Sequence, residues 1–307
     1  MVGAPAMLLH MVLVLVARPD LDYSKRIAGL EMFAGDQAVT EADLARGLVA
    51  AAFDILHDKK GQNILTTVGF ANACFLSTLL GPGSKALTAP VCSSWSWMSR
   101  YSTGRKMWRP LGFTRHHSVR KANKMVARVV LQLYLWQARS AFWILEQPAR
   151  SCLEDHPRFQ CFLEEHCIFR KHINMGEFGA CTAKGSILYS PDQKCLDDLD
   201  YYRLPLPAAP KDALVCVKWV DGKKKVTGKP DELKISQAYP PYFGWALSDI
   251  YERNKGRLME MALEGVALAA RISSQHLAEA MLLDQPDQLD SWDDAGCREV
   301  IRYLTRA

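Results

Sequence analysis

Short apolar runs alternate with segments of helical periodicity through the first two thirds of the chain. The run 27–33 leads into a turn at Gly35, and apolar positions at helical spacing follow until Gly47. The next run, 48–53, is continuously apolar, as in a parallel strand covered on both faces, and it ends on Asp54. The order strand, turn, helix, strand predicts a β-α-β unit at the start of an α/β domain.

Further strands and helices are predicted downstream by the same criteria. A helix is expected over 68–80, ended by the Gly-Pro-Gly sequence at 81–83, and a long amphipathic helix is expected over 118–138. Pro148 cannot donate to a sheet, so the chain is expected to leave the sheet directly after Glu146. The remaining predicted strands are 85–89, 142–145, 167–173 and 186–190.

The last third of the chain has a different pattern. A proline-rich segment, 204–210, predicts a linker. Asp221-Gly222, between the largely apolar segment 214–220 and the lysine-rich segment 223–227, predicts a β-hairpin. Helical stretches follow over 240–270, 275–283 and 292–305. We therefore divide the chain into an N-terminal extension (1–26), a catalytic domain (27–190), a linker with a hairpin (191–236) and a C-terminal helical region (237–307).

Composition and charge exclude several classes of protein. With 49% hydrophobic and 23% charged residues, the 307-residue chain resembles a folded domain and not a disordered segment. The nine cysteines form no C-x-x-C pair and no repeated Cys/His spacing, so neither a disulfide framework nor a metal site is expected. This favours a reducing intracellular compartment, with the nucleus as one candidate. The net charge of +5 permits an anionic partner.

The apolar stretch 7–17 resembles the core of a signal peptide. It is too short to span a bilayer, and no Lys or Arg precedes it, whereas a secretory signal begins with positive charge. We therefore expect a packed helix or an additional strand here, and no membrane association.

Two side chains with catalytic chemistry follow predicted strands. Cys92 comes after the strand 85–89, where the sequence changes from apolar to small, polar and aromatic, and Glu146 follows the strand 142–145. Ligands of open α/β sheets gather at the carboxyl ends of the strands, so a thiol nucleophile and an acid at this edge would meet one substrate. The competing interpretation is structural, with a buried cysteine acting as a small apolar residue and the glutamate as a cap or ion-pair partner.

The segment between Cys92 and the helix 118–138 is rich in basic and aromatic residues. Positive charge next to stacking surfaces suits nucleic acid, although a merely solvated basic loop is also compatible with this pattern. The candidate nucleic-acid-binding residues are Arg100, Arg105, Lys106 and Arg109.

The glycine turn and the acid that follows it predict a nucleoside site. Asp54 lies about 20 residues past the turn, where an acidic side chain holds the ribose hydroxyls in dinucleotide-binding folds. The turn has a single glycine and not the three of G-x-G-x-x-G, so a dinucleotide is disfavoured and a nucleoside without phosphates fits better. The alternative is a structural turn with a solvated aspartate.

Three short motifs resemble those of cytosine-5 DNA methyltransferases, in the same order and at similar spacing. EMFAG at 31–35 resembles the cofactor turn of that family, PVCS at 90–93 its proline-cysteine loop, and EQP at 146–148 its glutamate signature. The resemblance covers roughly residues 27–190. It implies a Rossmann-like methyltransferase fold, mostly parallel and covered by helices on both faces, whose last two predicted strands form an antiparallel edge.

The resemblance also implies an activity, the methylation of nucleic acid with S-adenosylmethionine, with cytosine C5 of DNA as the expected target. In that family the cysteine thiolate, here Cys92, adds to C6 of a flipped cytosine, and the glutamate, here Glu146, hydrogen-bonds N3 and the exocyclic amine. A C-terminal helix would close the cofactor pocket, and only 191–236 would remain for a small substrate-recognition insert. The implied cofactor-binding residues are Phe33, Ala34, Gly35, Asp36, Asp54 and Ile55.

The chain departs from the family pattern at several positions. The turn lacks a second glycine, Val91 separates Pro90 from Cys92, and Gln147-Pro148 replaces Asn-Val. No Gln-x-Arg-x-Arg strand is found, so the arginines that support the family site have no assigned counterpart. Two alternatives therefore stay open: a catalytically inactive relative that binds nucleic acid, and a methyltransferase for a protein or a small molecule.

Overall fold

The computed structural model describes residues 26–206, 215–228 and 238–283. The predicted N-terminal extension up to residue 25, with its apolar stretch 7–17, lies outside these ranges, as does the predicted helix 292–305. In the described part of the chain, no helix is both long and apolar enough to cross a membrane.

A six-stranded mixed sheet lies at the centre of the described fold. Its strands are β1 (Ile27–Met32), β2 (Ala50–Phe53), β3 (Leu80–Thr88), β4 (Phe142–Pro148), β5 (Phe169–Asn174) and β6 (Gly185–Ser190). They are ordered β2-β1-β3-β4-β6-β5. The strands β1 to β4 run parallel, whereas β6 is antiparallel to both β4 and β5. The predicted α/β class and the antiparallel pair near the sheet edge are confirmed.

Helices cover both faces of this sheet. They are α1 (Ala38–Ala45), α2 (Thr67–Leu79), α3 (Arg100–Thr103), α4 (His117–Ala138), α5 (Pro157–Glu165), α6 (Gln193–Asp198) and α7 (Pro241–Leu283). Along β4, Trp143 and Leu145 belong to one apolar cluster with α2, α4 and α5, while Phe142 and Ile144 belong to another with α1, α6 and α7. Successive side chains of a strand point to opposite faces, so the sheet is buried on both sides.

β3 begins earlier than predicted. The Gly-Pro-Gly sequence at 81–83 does not separate helix from strand, because β3 starts at Leu80, directly after α2. The pairing with β1 shifts from Ile27–Leu80 to Gly29–Lys85, so residues 81–83 form a bulge. Gly83 takes a left-handed φ of 70° within it, which a residue with a side chain rarely adopts.

β4 continues beyond the predicted exit point. Glu146, Gln147 and Pro148 remain in the sheet and pair with β6. The pairing with β3 ends at Leu145, so the last residues of β4 have a strand on one side only. Pro148 has no N–H group. It is tolerated because the side of β4 that is no longer paired with β3 requires no hydrogen-bond donor.

The C-terminal helix α7 is longer and more regular than the sequence pattern suggests. Its backbone is one helix from Pro241 to Leu283, where breaks and a separate segment 275–283 were predicted. It packs on α1 and β3. Gly244 permits this approach, since a Cβ at that position would lie 2.1 Å from the carbonyl oxygen of Ala38.

The predicted hairpin is confirmed as a separate two-stranded sheet. Its strands are β7 (Val215–Val220) and β8 (Lys223–Gly228). The two connecting residues, Asp221 and Gly222, have φ values of 50° and 70°, which are typical of the tight turns that join antiparallel strands.

Candidate active site

The carboxyl ends of the four parallel strands carry most of the predicted site residues. The EMFAG motif ends β1 and enters a turn, Asp54 directly follows β2, Cys92 follows β3, and Glu146 lies near the end of β4. Because these strands are parallel neighbours, their ends meet at one edge of the sheet. Thr88, the last residue of β3, pairs with Leu145 of β4. Cys92 and Glu146 both follow this pair along the chain, so they lie at the same edge of the sheet.

The side chain of Gln147 holds the Cys92 loop against β4. Its Nε2 donates to the carbonyl oxygen of Pro90 at 2.8 Å, and its Oε1 accepts from Ser151 Oγ at 3.0 Å. Gln147 is fully buried, so these bonds are shielded from water.

Backbone hydrogen bonds join the same two segments further out. The Cys152 N–H donates to the carbonyl oxygen of Trp95 at 2.7 Å, and the Trp97 N–H donates to that of Arg150 at 3.1 Å. The loop with the thiol and the strand with the acid therefore form one rigid unit.

Cys92 lies partly buried at the start of a tight turn. Its carbonyl oxygen accepts from the N–H groups of Trp95 and Ser96, each at 2.8 Å. Burial raises the pKa of the Cys92 thiol, and the negative charge of Glu146 raises it further, while Lys184 acts in the opposite direction. The cysteine therefore rests as a neutral thiol and lies within electrostatic range of both groups.

Glu146 is buried and surrounded by hydrogen-bond donors. Ser186 Oγ donates to its Oε1 at 2.5 Å, and the hydroxyl of Tyr239 lies 3.4 Å from its Oε2. Lys184 Nζ lies 3.9 Å from Oε1. All three groups can donate to a carboxylate, so the surroundings suit Glu146 as an oriented acceptor.

The sequence pattern predicts Lys184 in a loop near the site or in a plain hairpin, but it does not single out Ser186 or Tyr239. Lys184 directly precedes β6, and Ser186 is the second residue of that strand, so the polar residues at this strand start were the available signal for Ser186. Tyr239 offers no comparable signal, because it precedes α7 and reaches Glu146 only through the tertiary fold. Burial raises the pKa of Tyr239 well above its ordinary value, and the charges of Glu146, Glu31 and Cys92 act in the same direction.

The turn after β1 has unusual backbone geometry. Phe33, Gly35 and Gln37 have φ values of 59°, 50° and 60°. Left-handed conformations at Phe33 and Gln37 are strained, and such strain is concentrated at functional sites. Of the other two predicted residues in the turn, Ala34 is buried and Asp36 is exposed.

Asp54 connects this turn to the end of β2. Its Oδ2 accepts from the Gly35 N–H at 3.1 Å, and its Oδ1 accepts from the Leu56 N–H at 2.8 Å. The neighbouring side chains of Ile55 and Leu56 are exposed. The predicted cofactor residues Gly35, Asp54 and Ile55 thus lie together.

A small cavity of about 210 Å³ opens beside Asp54. The Asp54 N–H donates to Gln62 Oε1 at 2.8 Å, and Gln62 also lines the cavity. Its lining residues are Phe53, Asp58, Gly61, Gln62, Asn72, Phe75 and Leu76.

Glu31 presents a second carboxylate at the end of β1. Its Oε2 accepts from both the N–H and the Oγ1 of Thr40, each at 2.7 Å. Its Oε1 is buried and has no hydrogen-bond partner among the described residues. Burial raises the pKa of Glu31. A buried acceptor without a donor is costly, and it is the kind of group that a cationic ligand would satisfy.

The residues between Cys92 and α4 form a surface lobe, residues 93–116, which we call the basic lobe. Arg100, Lys106 and Arg109 are exposed on it, as the nucleic-acid prediction requires. Arg105 is not: its side chain is buried, and its guanidinium donates to Ser94 and to the carbonyl oxygen of Pro110. The prediction for Arg105 is therefore corrected to a structural role.

His156 has a structural role at the start of α5. It is buried, and its Nδ1 accepts from the Arg158 N–H at 3.2 Å, which caps α5. Burial, followed by the charges of Arg158 and Arg105, lowers the pKa of His156 to about 3.

Residues 26–206, 215–228 and 238–283 contain no group of three or more His, Cys, Asp or Glu side chains arranged to hold a metal ion. Comparison with protein-family models finds no match to the chain, and comparison with curated proteins likewise finds none.

Proposed function

We propose that the protein is an S-adenosylmethionine-dependent methyltransferase that acts on nucleic acid, with cytosine C5 as the acceptor atom. The observation that carries this proposal is that Cys92 and Glu146 both follow the paired residues Thr88 and Leu145, where the buried Gln147–Pro90 hydrogen bond ties the Cys92 loop to β4. A nucleophile and an oriented acid at one sheet edge suit chemistry on an unreactive ring carbon.

The fold is compatible with the proposal. A parallel core followed by an antiparallel pair, with β6 inserted between β4 and β5, agrees with the methyltransferase sheet that the sequence resemblance implies. Ser186 on β6 donates to Glu146, and Lys184, directly before β6, lies 3.9 Å from the same carboxylate; they are our candidates for the supporting role of the family's arginines.

The residues at the ends of β1 and β2 fit S-adenosylmethionine. The Asp54 oxygens each retain a free lone pair for a ribose hydroxyl, although both already accept a backbone N–H. Exposed Ile55 and Leu56 suit one face of the adenine ring, and the unpartnered Glu31 Oε1 suits the ammonium group. Bound there, S-adenosylmethionine would supply the methyl group.

Cys92 and Glu146 have complementary tasks on the base. The Cys92 sulfur forms a bond to C6 while the C5–C6 double bond opens, and N3, held by Glu146, gains a proton as the thiol loses one. Transfer of the methyl group to C5 would leave S-adenosylhomocysteine. The C5 proton then leaves to a base and the Cys92–C6 bond breaks, which restores the C5–C6 double bond. N3 gives up its added proton and the departing thiolate regains one, so that the aromatic ring and the resting thiol are both restored. The neutral resting state of Cys92 means that its proton must be removed before or during attack.

The charge distribution supports a nucleic-acid substrate. Residues 59–145 contain thirteen Lys and Arg and no Asp or Glu, although the whole chain has a net charge of only +5. This segment includes the Cys92 loop and the basic lobe. The exposed cations of this segment would attract a polyanion towards the Cys92 loop.

Calorimetry with S-adenosylmethionine tests the cofactor assignment. We expect binding, and we expect Asp54→Ala to weaken it by about tenfold, because charge-assisted bonds to the ribose are lost. Glu164→Ala is the control, since Glu164 is an exposed acid on α5, outside the Asp54 loop. Absence of binding at millimolar concentration, or an equal effect of the two variants, would refute the assignment.

A second candidate function has one specific observation in its favour. The raised pKa of Cys92 is the opposite of what an activated nucleophile shows, which favours a non-catalytic relative that binds nucleic acid. Methyl transfer from labelled S-adenosylmethionine to DNA or RNA separates the two. Nucleic-acid binding without methyl transfer would establish the second candidate.

A further inference from the structure

The basic lobe exposes an unusual amount of aromatic surface. Tyr101 is 98% exposed and Trp108 is 78% exposed, values that are rare for side chains of this size. The large exposed apolar side chains of the lobe are Trp97, Met98, Tyr101, Met107, Trp108 and Leu111.

Cations lie directly beside aromatic rings of the lobe. Lys106 Nζ lies 5.1 Å from the centre of the Trp108 ring, and the Arg109 guanidinium lies 5.6 Å from that of Phe113. The lobe contains no acidic residue. Its residues therefore offer ring faces and positive charge together, and from outside the lobe the Asp155 carboxylate lies 3.8 Å from Arg100.

Buried contacts hold the lobe in place from below. The Arg105 guanidinium stacks 3.3 Å over the ring of Trp95, which is itself fully buried. Gly112 packs so closely that a Cβ there would lie 2.4 Å from the carbonyl oxygen of Thr103. The lobe is thus anchored beneath its exposed rings, which lowers the entropic cost of stacking a ligand on them.

We propose that the basic lobe binds single-stranded nucleic acid, with unpaired bases stacked on Tyr101 and Trp108 and phosphates held by Lys106 and Arg109. The proposal rests on the proposed function, because it names the form of nucleic acid that the same site accepts. Bases within a duplex are stacked on one another, so their faces are closed to protein side chains, whereas an unpaired base offers both faces. Exposed indole and phenol rings add little to duplex binding, which phosphate contacts dominate.

The placement of the lobe suits delivery of an unpaired base. It begins at residue 93, directly after Cys92, and its first turn is hydrogen-bonded to the carbonyl oxygen of Cys92. A strand bound to the lobe would therefore pass the thiol, and no base pair would have to be opened before a cytosine could reach it.

The test is fluorescence anisotropy with one labelled oligonucleotide, measured as a single strand and again annealed to its complement. We expect the single strand to bind at least about tenfold more tightly. Trp108→Ala and Tyr101→Ala should each weaken single-strand binding by about tenfold and leave duplex binding nearly unchanged. Lys106→Ala should instead reduce the salt dependence for both forms, by about one unit of slope.

Tyr201→Ala is the matched control. Tyr201 is 82% exposed, like the lobe aromatics, but it lies next to Asp200 and outside the lobe. Equal affinity for single strand and duplex, or equal effects of Tyr201→Ala and Trp108→Ala, would overturn the proposal.

The outcome is separable from that of the proposed function, because binding is measured with Cys92→Ser as well as with the parent protein. Preference of both proteins for the single strand, without any methyl transfer, would support the lobe assignment and refute the enzyme. Methyl transfer restricted to duplex DNA would support the enzyme and refute the lobe assignment.

Discussion

The two halves of the sheet edge are built in different ways. At the ends of β1 and β2, the candidate cofactor groups come from one continuous segment, 31–56, and are joined largely by backbone hydrogen bonds to Asp54 and Glu31. At the ends of β3 and β4, the candidate catalytic groups come from four separate parts of the chain. These groups are Cys92, Glu146, the pair Lys184 and Ser186, and Tyr239.

This difference has a functional consequence. The turn after β1 and the Asp54 carboxylate can keep their geometry even if the other strands of the sheet shift. A site assembled from β3, β4, β6 and the segment before α7 exists only when all of them are in register. We therefore expect changes in the catalytic half to affect chemistry and stability more than matched changes in the cofactor half.

The largest expected effect is that of Cys92→Ser on methyl transfer. If Cys92 is the nucleophile, turnover should fall by at least about 10³-fold, because a serine hydroxyl is a far weaker nucleophile than a thiolate. Calorimetric binding of S-adenosylmethionine should be unchanged, since the cofactor groups lie on the other half. A parallel loss of cofactor binding would show that the two halves are not separate.

The free energy of unfolding should depend on pH through His156, which caps α5 and packs against Trp95. The unfolded chain protonates His156 near pH 6.5, whereas the folded protein holds its pKa at about 3, so the unfolded state binds more protons between these values. The contribution of His156 to the free energy of unfolding should therefore fall by about 2 kcal/mol from pH 7 to pH 5. Urea unfolding of the parent protein and of His156→Gln at both pH values measures this. An identical pH dependence in the two proteins would contradict it.

Two buried or half-buried glutamines allow a matched comparison of the two halves. Gln147→Ala removes two shielded hydrogen bonds between β4 and its loops and should lower the free energy of unfolding by about 1 to 3 kcal/mol. Gln62→Ala removes one hydrogen bond, which the Asp54 N–H donates at a half-buried position. Water can replace this acceptor, so the free energy of unfolding should fall by less. Chemical denaturation measures the free energy of unfolding of both variants. A larger decrease in Gln62→Ala than in Gln147→Ala would contradict the expected difference between the halves.

The smallest expected effect is a pair of opposite changes in thiol reactivity. Glu146→Gln removes a negative charge that raises the pKa of Cys92, so alkylation of Cys92 by iodoacetamide at pH 8 should become severalfold faster. Lys184→Met removes a positive charge that lowers it, so alkylation should become slower. Peptide mass spectrometry reports the rate at each cysteine, with the exposed Cys167 as an internal reference. Changes of the same sign would show that the two charges do not act on the thiol.

The contrast between the halves also explains what could be predicted from the sequence. The α/β class and the hairpin followed from apolar periodicity and from turn residues such as Asp221 and Gly222, which act locally. The antiparallel pair was implied by the family resemblance. The grouping of Gly35 and Asp54 followed from one β-α-β unit, and Ile55 was added by the resemblance.

The remaining features depended on tertiary contacts. Arg105 has the sequence context of a surface cation, yet it is buried because Trp95, Ser94 and Pro110 together provide a ring face and acceptors for its guanidinium. Tyr239 reaches Glu146 across 93 residues of sequence, a distance over which no periodic pattern carries information. Likewise, Pro148 stays in β4 because β3 has already ended beside it.

The central claim is that Cys92 and Glu146 act on one cytosine ring. Its most direct test is the incubation of the protein with S-adenosylmethionine and an oligonucleotide that carries 5-fluorocytosine, followed by denaturing electrophoresis and peptide mass spectrometry. Fluorine at C5 cannot leave as a proton does, so the bond between sulfur and C6 should persist. The account predicts a denaturant-stable complex attached at Cys92 and absent in Cys92→Ala. Normal methylation of cytosine by Cys92→Ala, with no complex in the parent protein, would contradict it.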